Sequence, residues 1–549
     1  MALFKRKSAS ADFNSSVKNK QPAVFTIHAH SNLAYEPDVK ETSSDANGTA
    51  HSDITSSPLS NRKPSEPPSP PPTLKKSINL FHCIAILVAV TGNSSIFISP
   101  GAIIGSAGSI GAALVVWLVG GLINMGLALC YTELATMFPC AGGQYAYVLN
   151  VLGPLPGFLM LYGYVIFVVG PSWAFLAYTS ALYIMKPLFP DCATENVELG
   201  IKLLAGWILV TVVVLNCTFM RFVTKVQTFL SMTKVLALLI IISGGIAMLV
   251  QGKTDNFENL FADTSKEPGE LAISVFYTSF AYGGWQTIMT LAEEVKDPGR
   301  DLPISVYMGF IIIIMKYILA NAAYFTLINP VEMLQSNAVA SLFCQRLYSP
   351  ISILISVLVA TTSIAALNAV VMGNSRVLFA GARVGHVPLI FGMIHSKYLT
   401  PWPANFVLLA WGLTMLFTGG LTTMMVYIGF FATIAGIAVV VSLLYLRVKR
   451  PGVNRPYKTM LCVPIVQLIV NVAVLVMAVY QRPHQMGIAL AILVAGIPVY
   501  WFGVLWKNKP KELTKIVEGL TILAQKILVV VKASQNGKSL GKTPISPKK

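Results

Sequence analysis

Two stretches of this 549-residue chain put small, helix-weakening residues inside apolar sequence: Ala89-Val-Thr-Gly-Asn-Ser-Ser-Ile-Phe-Ile-Ser-Pro-Gly101 and Phe276-Tyr-Thr-Ser-Phe-Ala-Tyr-Gly-Gly-Trp-Gln286. A helix interrupted in this way leaves backbone N–H and C=O groups without intrahelical partners. At membrane depth such backbone is tolerated only where it lines a cavity or is buried in protein. Freed N–H groups and helix N-termini suit an anionic group, and freed carbonyls suit a cation. A zwitterion such as an amino acid carries both. The alternative is that Gly and Ser only allow helices to pack closely. One interruption alone would favour that alternative; two at matching places in the chain favour a shared site.

The elements that must position these stretches follow from composition. Hydrophobic residues make up 54% of the chain and charged ones 11%, against about 25% charged in soluble domains. Mean hydropathy is +0.66. Apolar runs of the roughly 20 residues that a helix needs to cross a bilayer recur throughout. The alternating ten-residue segments of an outer-membrane barrel are absent. The fold class is therefore an all-α polytopic membrane protein. The runs predict about twelve spans, near 78–104, 110–137, 155–188, 200–219, 224–250, 271–295, 303–330, 349–378, 402–420, 422–447, 459–480 and 485–506. The two interrupted stretches fall in spans one and six, which correspond if the first ten spans form two five-helix halves.

The net charge of +17 raises the question of nucleic acid. Its basic residues, however, lie in tails and short connections, which fits the positive-inside rule better than phosphate binding. Lys75, Lys76, Arg221, Lys225, Lys296, Arg300, Arg383, Lys449, Arg450, Arg455 and Lys458 fall on one side. Asp191, Glu195 and Glu198 fall on the other, so both termini are expected in the cytoplasm. Residues 1–76 read as a disordered tail, 77–506 as the membrane domain, and 507–549 as a second cytoplasmic tail. No signal peptide is expected. Within the second tail, Leu513–Val531 has helical apolar spacing with Lys515 and Lys526 interleaved, as in a helix lying on the inner leaflet. The sequons at Asn14, Asn47, Asn93 and Asn216 fall in the tail or inside spans, where no glycan is expected.

Several motifs now carry a resemblance. They include Ala128-Leu-Cys-Tyr-Thr-Glu-Leu134, Gly142-Gly-Gln-Tyr-Ala-Tyr147, Lys186-Pro-Leu-Phe-Pro-Asp-Cys192 and Phe280-Ala-Tyr-Gly-Gly-Trp285. Glu293-Glu-Val-Lys-Asp-Pro-Gly-Arg-Asp-Leu-Pro303, Ser375-Arg-Val-Leu-Phe379, Gly385-His-Val-Pro388 and Gly503-Val-Leu-Trp-Lys-Asn-Lys-Pro510 follow in order. The sequence resembles a light chain of the heteromeric amino-acid transporters, within the amino acid–polyamine–organocation superfamily, over roughly residues 77–533. The resemblance implies twelve spans with a five-plus-five inverted repeat and sodium-independent exchange of amino acids by alternating access. It also implies that Asn93, Ser94, Ser95 and Ile96 face the substrate carboxylate. The carbonyls around Phe280, Ala281 and Gly283 then face the ammonium, and Phe280 closes over the substrate as a gate. Trp285 either lines the pocket or only packs.

The chain departs from that pattern in three places. The first-span Gly-Ser-Gly is Asn93-Ser94-Ser95, so two glycines have gained side chains. In span three, Val165 and Gly170 stand where the family has Glu and Arg. In span ten, Ala432-Thr433 stand where well-known members have a pocket-facing Asn-Trp. Extra atoms at 93–95 should narrow the carboxylate end, and Ala432 and Thr433 should widen the side-chain end. Together with the lost Arg, this points to small or large neutral amino acids. Cationic amino acids or polyamines, and a non-transporting sensor or scaffold, stand as alternatives.

Seven cysteines are present, and most lie in spans or near the cytoplasm, as small hydrophobes. Cys192 falls in a predicted exterior loop without an internal mate, which suggests an intermolecular bridge. The resemblance makes its partner a single-span type II glycoprotein heavy chain at the plasma membrane; the alternative is a free thiol. Glu133, Glu293 and Glu294 read either as proton relays or as inner-gate ion pairs and hydrogen bonds. Lys234 either ties span five to span one or snorkels to the interface. His82 and His386 belong to no cluster at metal-ligand spacing. Neither a phosphate-cradling loop nor a nucleophile elbow occurs. No cofactor, metal or enzymatic activity is expected.

Overall fold

The computed structural model describes residues 78–92, 94–138, 143–189, 194–506 and 510–532. The expected tail over 1–76, Asn93, Cys140 and Cys192 lie outside the described residues.

Nine helices among the described residues are long and apolar enough to cross a membrane. The other three expected spans are shorter for visible reasons. Span one is cut into α1 (Leu80–Val90), a 3₁₀ turn (Ser94–Phe97) and α2 (Ser99–Ala107). Span two is α3 (Ile110–Met137), followed by a short α4 (Gly143–Leu152). Span three joins α5 (Pro154–Gly163) to α6 (Gly170–Leu188) through a π-turn over Tyr164–Val169. Spans four and five are α7 (Thr194–Thr218) and α8 (Met220–Val250). Span six is cut into α9 (Pro268–Ala281) and α10 (Gln286–Thr290). Span seven is α11 (Pro298–Leu327), and two short helices, α12 (Pro330–Gln335) and α13 (Val339–Leu347), lead to span eight, α14 (Ser349–Val384). Spans nine to twelve are α15 (Trp402–Thr418), α16 (Leu421–Lys449), α17 (Cys462–Gln481) and α18 (Pro483–Tyr500). At 17 residues, α15 is the short uninterrupted one. Order and number agree with the twelve spans expected.

Packing reveals the inverted repeat. Span two packs on span seven and span three on span eight. Span five packs on spans seven and eight, as span ten packs on spans two and three. Span four packs on span eight as span nine packs on span three, and span one meets span seven as span six meets span two. When every span is exchanged with the one five places away, the first two pairs map onto themselves and each of the others onto its counterpart, as a two-fold repeat requires. Spans eleven and twelve pack outside, α17 against α16 and α9, and α18 against α5.

The amphipathic C-terminal segment forms α19 (Lys511–Leu528), with exposed Val517, Leu523 and Ile527. After a left-handed residue, Val529, the strand Val530–Lys532 pairs antiparallel with Met393–His395 in the connection between spans eight and nine. The helix was expected; the strand pair was not. Asn216 is buried inside α7, as the expectation of no glycan requires.

Candidate functional site

The two breaks meet. The N–H of Gly92 donates to the carbonyl of Gly283 at 3.0 Å, joining the gap after α1 to the gap after α9. Two glycines make that approach possible. Gly92 has φ +75°, and a Cβ there would run into the Tyr317 hydroxyl. Gly284 has φ +103°, and a Cβ there would lie 2.7 Å from the carbonyl oxygen of Val90. Only glycine takes both conformations without strain. The sixth-span half is further pinned from span seven, where the Tyr317 hydroxyl donates to the carbonyl of Ala281 at 3.0 Å. Beyond the breaks, Ile78 N donates to Glu294 O and Lys296 N to Ile78 O, tying the start of α1 to the end of span six.

Lys234 decides between its two expectations. Its ammonium donates to the carbonyls of Ala89 at 3.2 Å and Thr91 at 3.0 Å, the freed carbonyls at the end of α1. A cation at a helix C-terminus is favoured by the dipole, and Lys234 is buried, so span five does grip span one. On the other side of the gap, α2 begins at Ser99 with no side-chain cap and with Pro100 in its first turn. Its positive end faces back into the break.

Between these ends lie Ser94, Ser95 and Ile96, all with no solvent exposure. The hydroxyls of Thr91, Ser94 and Ser95 are buried without a hydrogen-bond partner among the described residues. A buried unsatisfied polar group costs about 1–3 kcal/mol, and three within five residues form a cluster that asks for a polar guest. The sequence reading missed Thr91, although a hydroxyl residue beside the weak Gly92 was a visible signal.

The sixth-span side differs. The carbonyl of Phe280 accepts from Gly283 N at 3.0 Å, Ala281 O from Tyr317, and Gly283 O from Gly92. Each thus already has one donor, leaving its second lone pair for a guest. The Phe280 ring is buried and meets Phe175 of α6 edge-on at 4.7 Å. Trp285 is buried against Tyr131 at 4.9 Å, with its indole N–H 3.4 Å from Asn124 Oδ1. Its ring also meets Phe310 of span seven edge-on at 6.5 Å, so it packs between spans two and seven. Phe280, Ala281 and Trp285 are closed to solvent, and Gly283 is half-buried.

The departures have physical occupants. Space beside Gly170 is filled by Trp411 of span nine, whose indole N–H donates to Ile166 O at 3.1 Å. A side chain at 170 would thus meet span nine. Thr433 is buried and turns its hydroxyl onto Gly429 O at 2.9 Å.

Glu133 sits in an ion-pair node. Arg447 of span ten holds it with two N–H groups, Arg455 Nε lies 3.6 Å away, and Thr459 N donates to Oε2 at 2.9 Å. Of its two expected roles, that geometry matches the ion pair. No group of three His, Cys, Asp or Glu able to hold a metal occurs among the described residues.

Comparison with known proteins accords with this geometry. The chain matches the sequence model of the amino acid permeases over residues 78–504. It is 38% identical over 466 residues to the human large neutral amino acids transporter small subunit 2, covering 83% of this chain and 86% of that protein. It is 33% identical over 458 residues to the human cystine/glutamate transporter, covering 83% and 91%. Over 461 residues it is 34% identical to the mouse Asc-type amino acid transporter 1, covering 83% and 87%. A match this long, running through both breaks and all the spans, shows that the chain belongs to the amino acid permease family of transporters.

Proposed function

We propose that this chain exchanges neutral amino acids, small or large, across a membrane by sodium-independent alternating access, as the light chain of a disulfide-linked heterodimer. The observation that carries the proposal is the cluster of unpartnered hydroxyls of Thr91, Ser94 and Ser95, set against the carbonyls of the sixth-span break. Ser94, Ser95 and the positive end of α2 hold the carboxylate. Phe280, Ala281 and Gly283 offer their remaining lone pairs to the ammonium. Phe280 closes over the bound molecule, with Trp285 behind it, and the resemblance adds Asn93 and Ile96 to the carboxylate side. Relatives named for large neutral amino acids and for Asc-type transport support a neutral substrate.

Uptake of labelled amino acids into reconstituted vesicles tests this. Neutral amino acids should enter far faster when the vesicles contain unlabelled amino acid, and sodium should make no difference. Efficient uptake of glutamate would contradict the neutral assignment.

The partner is a single-span glycoprotein bonded to Cys192, a reading supported by that cysteine's place in a predicted exterior loop and by the relative named a small subunit. The complex resides in the plasma membrane with both termini of this chain in the cytoplasm, as the basic connections favour. A non-reducing gel of native membrane should show a heavier species that collapses with reductant. Cys192→Ser should abolish it while leaving intrinsic exchange largely intact; an unchanged band pattern refutes the bridge.

A further inference from the structure

Span three is not a uniform helix. The π-turn over Tyr164–Val169 inserts extra backbone between α5 and α6. One residue of a helix corresponds to about 100° of rotation, so a π-turn resets which face α6 presents. That face matters because it carries Phe175, whose ring meets Phe280 edge-on at 4.7 Å. The π-turn itself is held from two sides. Phe167 packs on Tyr427, Phe430 and Phe431 of span ten. From span nine the Trp411 indole N–H donates to Ile166 O, within the turn, at 3.1 Å. Gly170, the first residue after the turn, is what admits the indole, because any Cβ there would collide with it. One residue on from Trp411, a Cβ at Gly412 would touch the Trp173 Cβ at 3.4 Å, so spans three and nine pack closely there.

We propose that Trp411 is a positioning residue for the gate. By holding the π-turn it fixes the rotation of α6 that sets the Phe175 ring against Phe280. The inference rests on the reading of Phe280 as a gate, and it gives Gly170 a role: the glycine makes room for the indole.

A double-mutant cycle tests it, using Trp411→Phe, which keeps most of the ring volume and removes the N–H donor. Exchange of a labelled neutral amino acid is measured on reconstituted protein that elutes as a single species. Trp411→Phe should lower the exchange rate roughly fivefold, the factor one hydrogen bond typically carries, with the half-saturation concentration little changed. In a Phe280→Ala background it should add almost nothing, because the ring it positions is gone. Two losses that multiply would overturn the proposal, since independent sites add in free energy. So would a Trp411→Phe protein exchanging at the parent rate. If Phe280→Ala alone exchanges at the parent rate, the gate reading itself falls, and that arm identifies the failure as the gate's and not the tryptophan's.

Discussion

The two breaks at the centre of the molecule are built alike in sequence and satisfied differently in structure. In the first, three hydroxyls are buried without partners among the described residues. In the second, the three carbonyls assigned to the substrate each already accept a hydrogen bond from within the protein. The sixth-span carbonyls are therefore supported from within the protein, while the first-span hydroxyls find no partner among the described residues. Substitutions in the first should change substrate affinity more than stability, and substitutions that support the second should do the reverse. Around both breaks stand groups that hold the backbone open, and these should matter to everything.

Gly92→Ala should have the largest effect, because it would force a Cβ into the Tyr317 hydroxyl at a positive φ. Strain of about 1–3 kcal/mol comes with the conformation alone, and the collision adds to it. Transport should be lost and the thermal midpoint of the purified protein should fall; a stable, active variant would show that the breaks do not touch as described. Lys234→Met comes next, since it leaves the carbonyls of Ala89 and Thr91 without their donor in a dry interior. A loss of roughly 2–4 kcal/mol in stability follows from two orphaned acceptors, visible in a denaturation curve. Unaltered stability would mean that the ammonium merely snorkels.

Ser94→Ala separates the two breaks most cleanly. Losing a hydrogen bond to a charged carboxylate costs roughly 1.5–3 kcal/mol, so the half-saturation concentration should rise about 10- to 100-fold. Stability without substrate should hold or improve, because a buried hydroxyl with no partner has been removed. A fall in stability with unchanged affinity would reverse the assignment. Tyr317→Phe should be the mildest, about 1 kcal/mol of stability from the lost bond to Ala281 O, with affinity nearly unaffected.

Much of this architecture was legible in the amino-acid sequence because lipid imposes a simple rule: long apolar runs become spans, and weak residues inside them become breaks. The expected span ends fall within a few residues of most observed ones, and the two expected breaks meet through the bond from Gly92 N to Gly283 O. Short elements held only by tertiary contacts were not legible. The helix Gly143–Leu152, the helices between spans seven and eight, and the strand pair Met393–His395 with Val530–Lys532 carry no periodicity long enough to read. Nor was the π-turn, since Tyr164–Val169 is apolar like its flanks and the indole that bonds it, Trp411, lies in another span. Glu133 was visible as an ionisable residue inside a span, but its partner Arg447 is 314 residues away. Span three carried a different lesson. Gly170 read as a lost charge, whereas the structure presents it as the space an indole occupies.

The most direct test of the central claim is the concentration dependence of labelled neutral amino-acid uptake into vesicles loaded with unlabelled amino acid, for the parent chain and Ser94→Ala side by side. The account predicts saturable uptake that depends on the internal amino acid, with the half-saturation concentration raised at least about tenfold in the variant and its maximal rate largely kept. Identical curves for the two proteins, or uptake indifferent to what the vesicles contain, would contradict it.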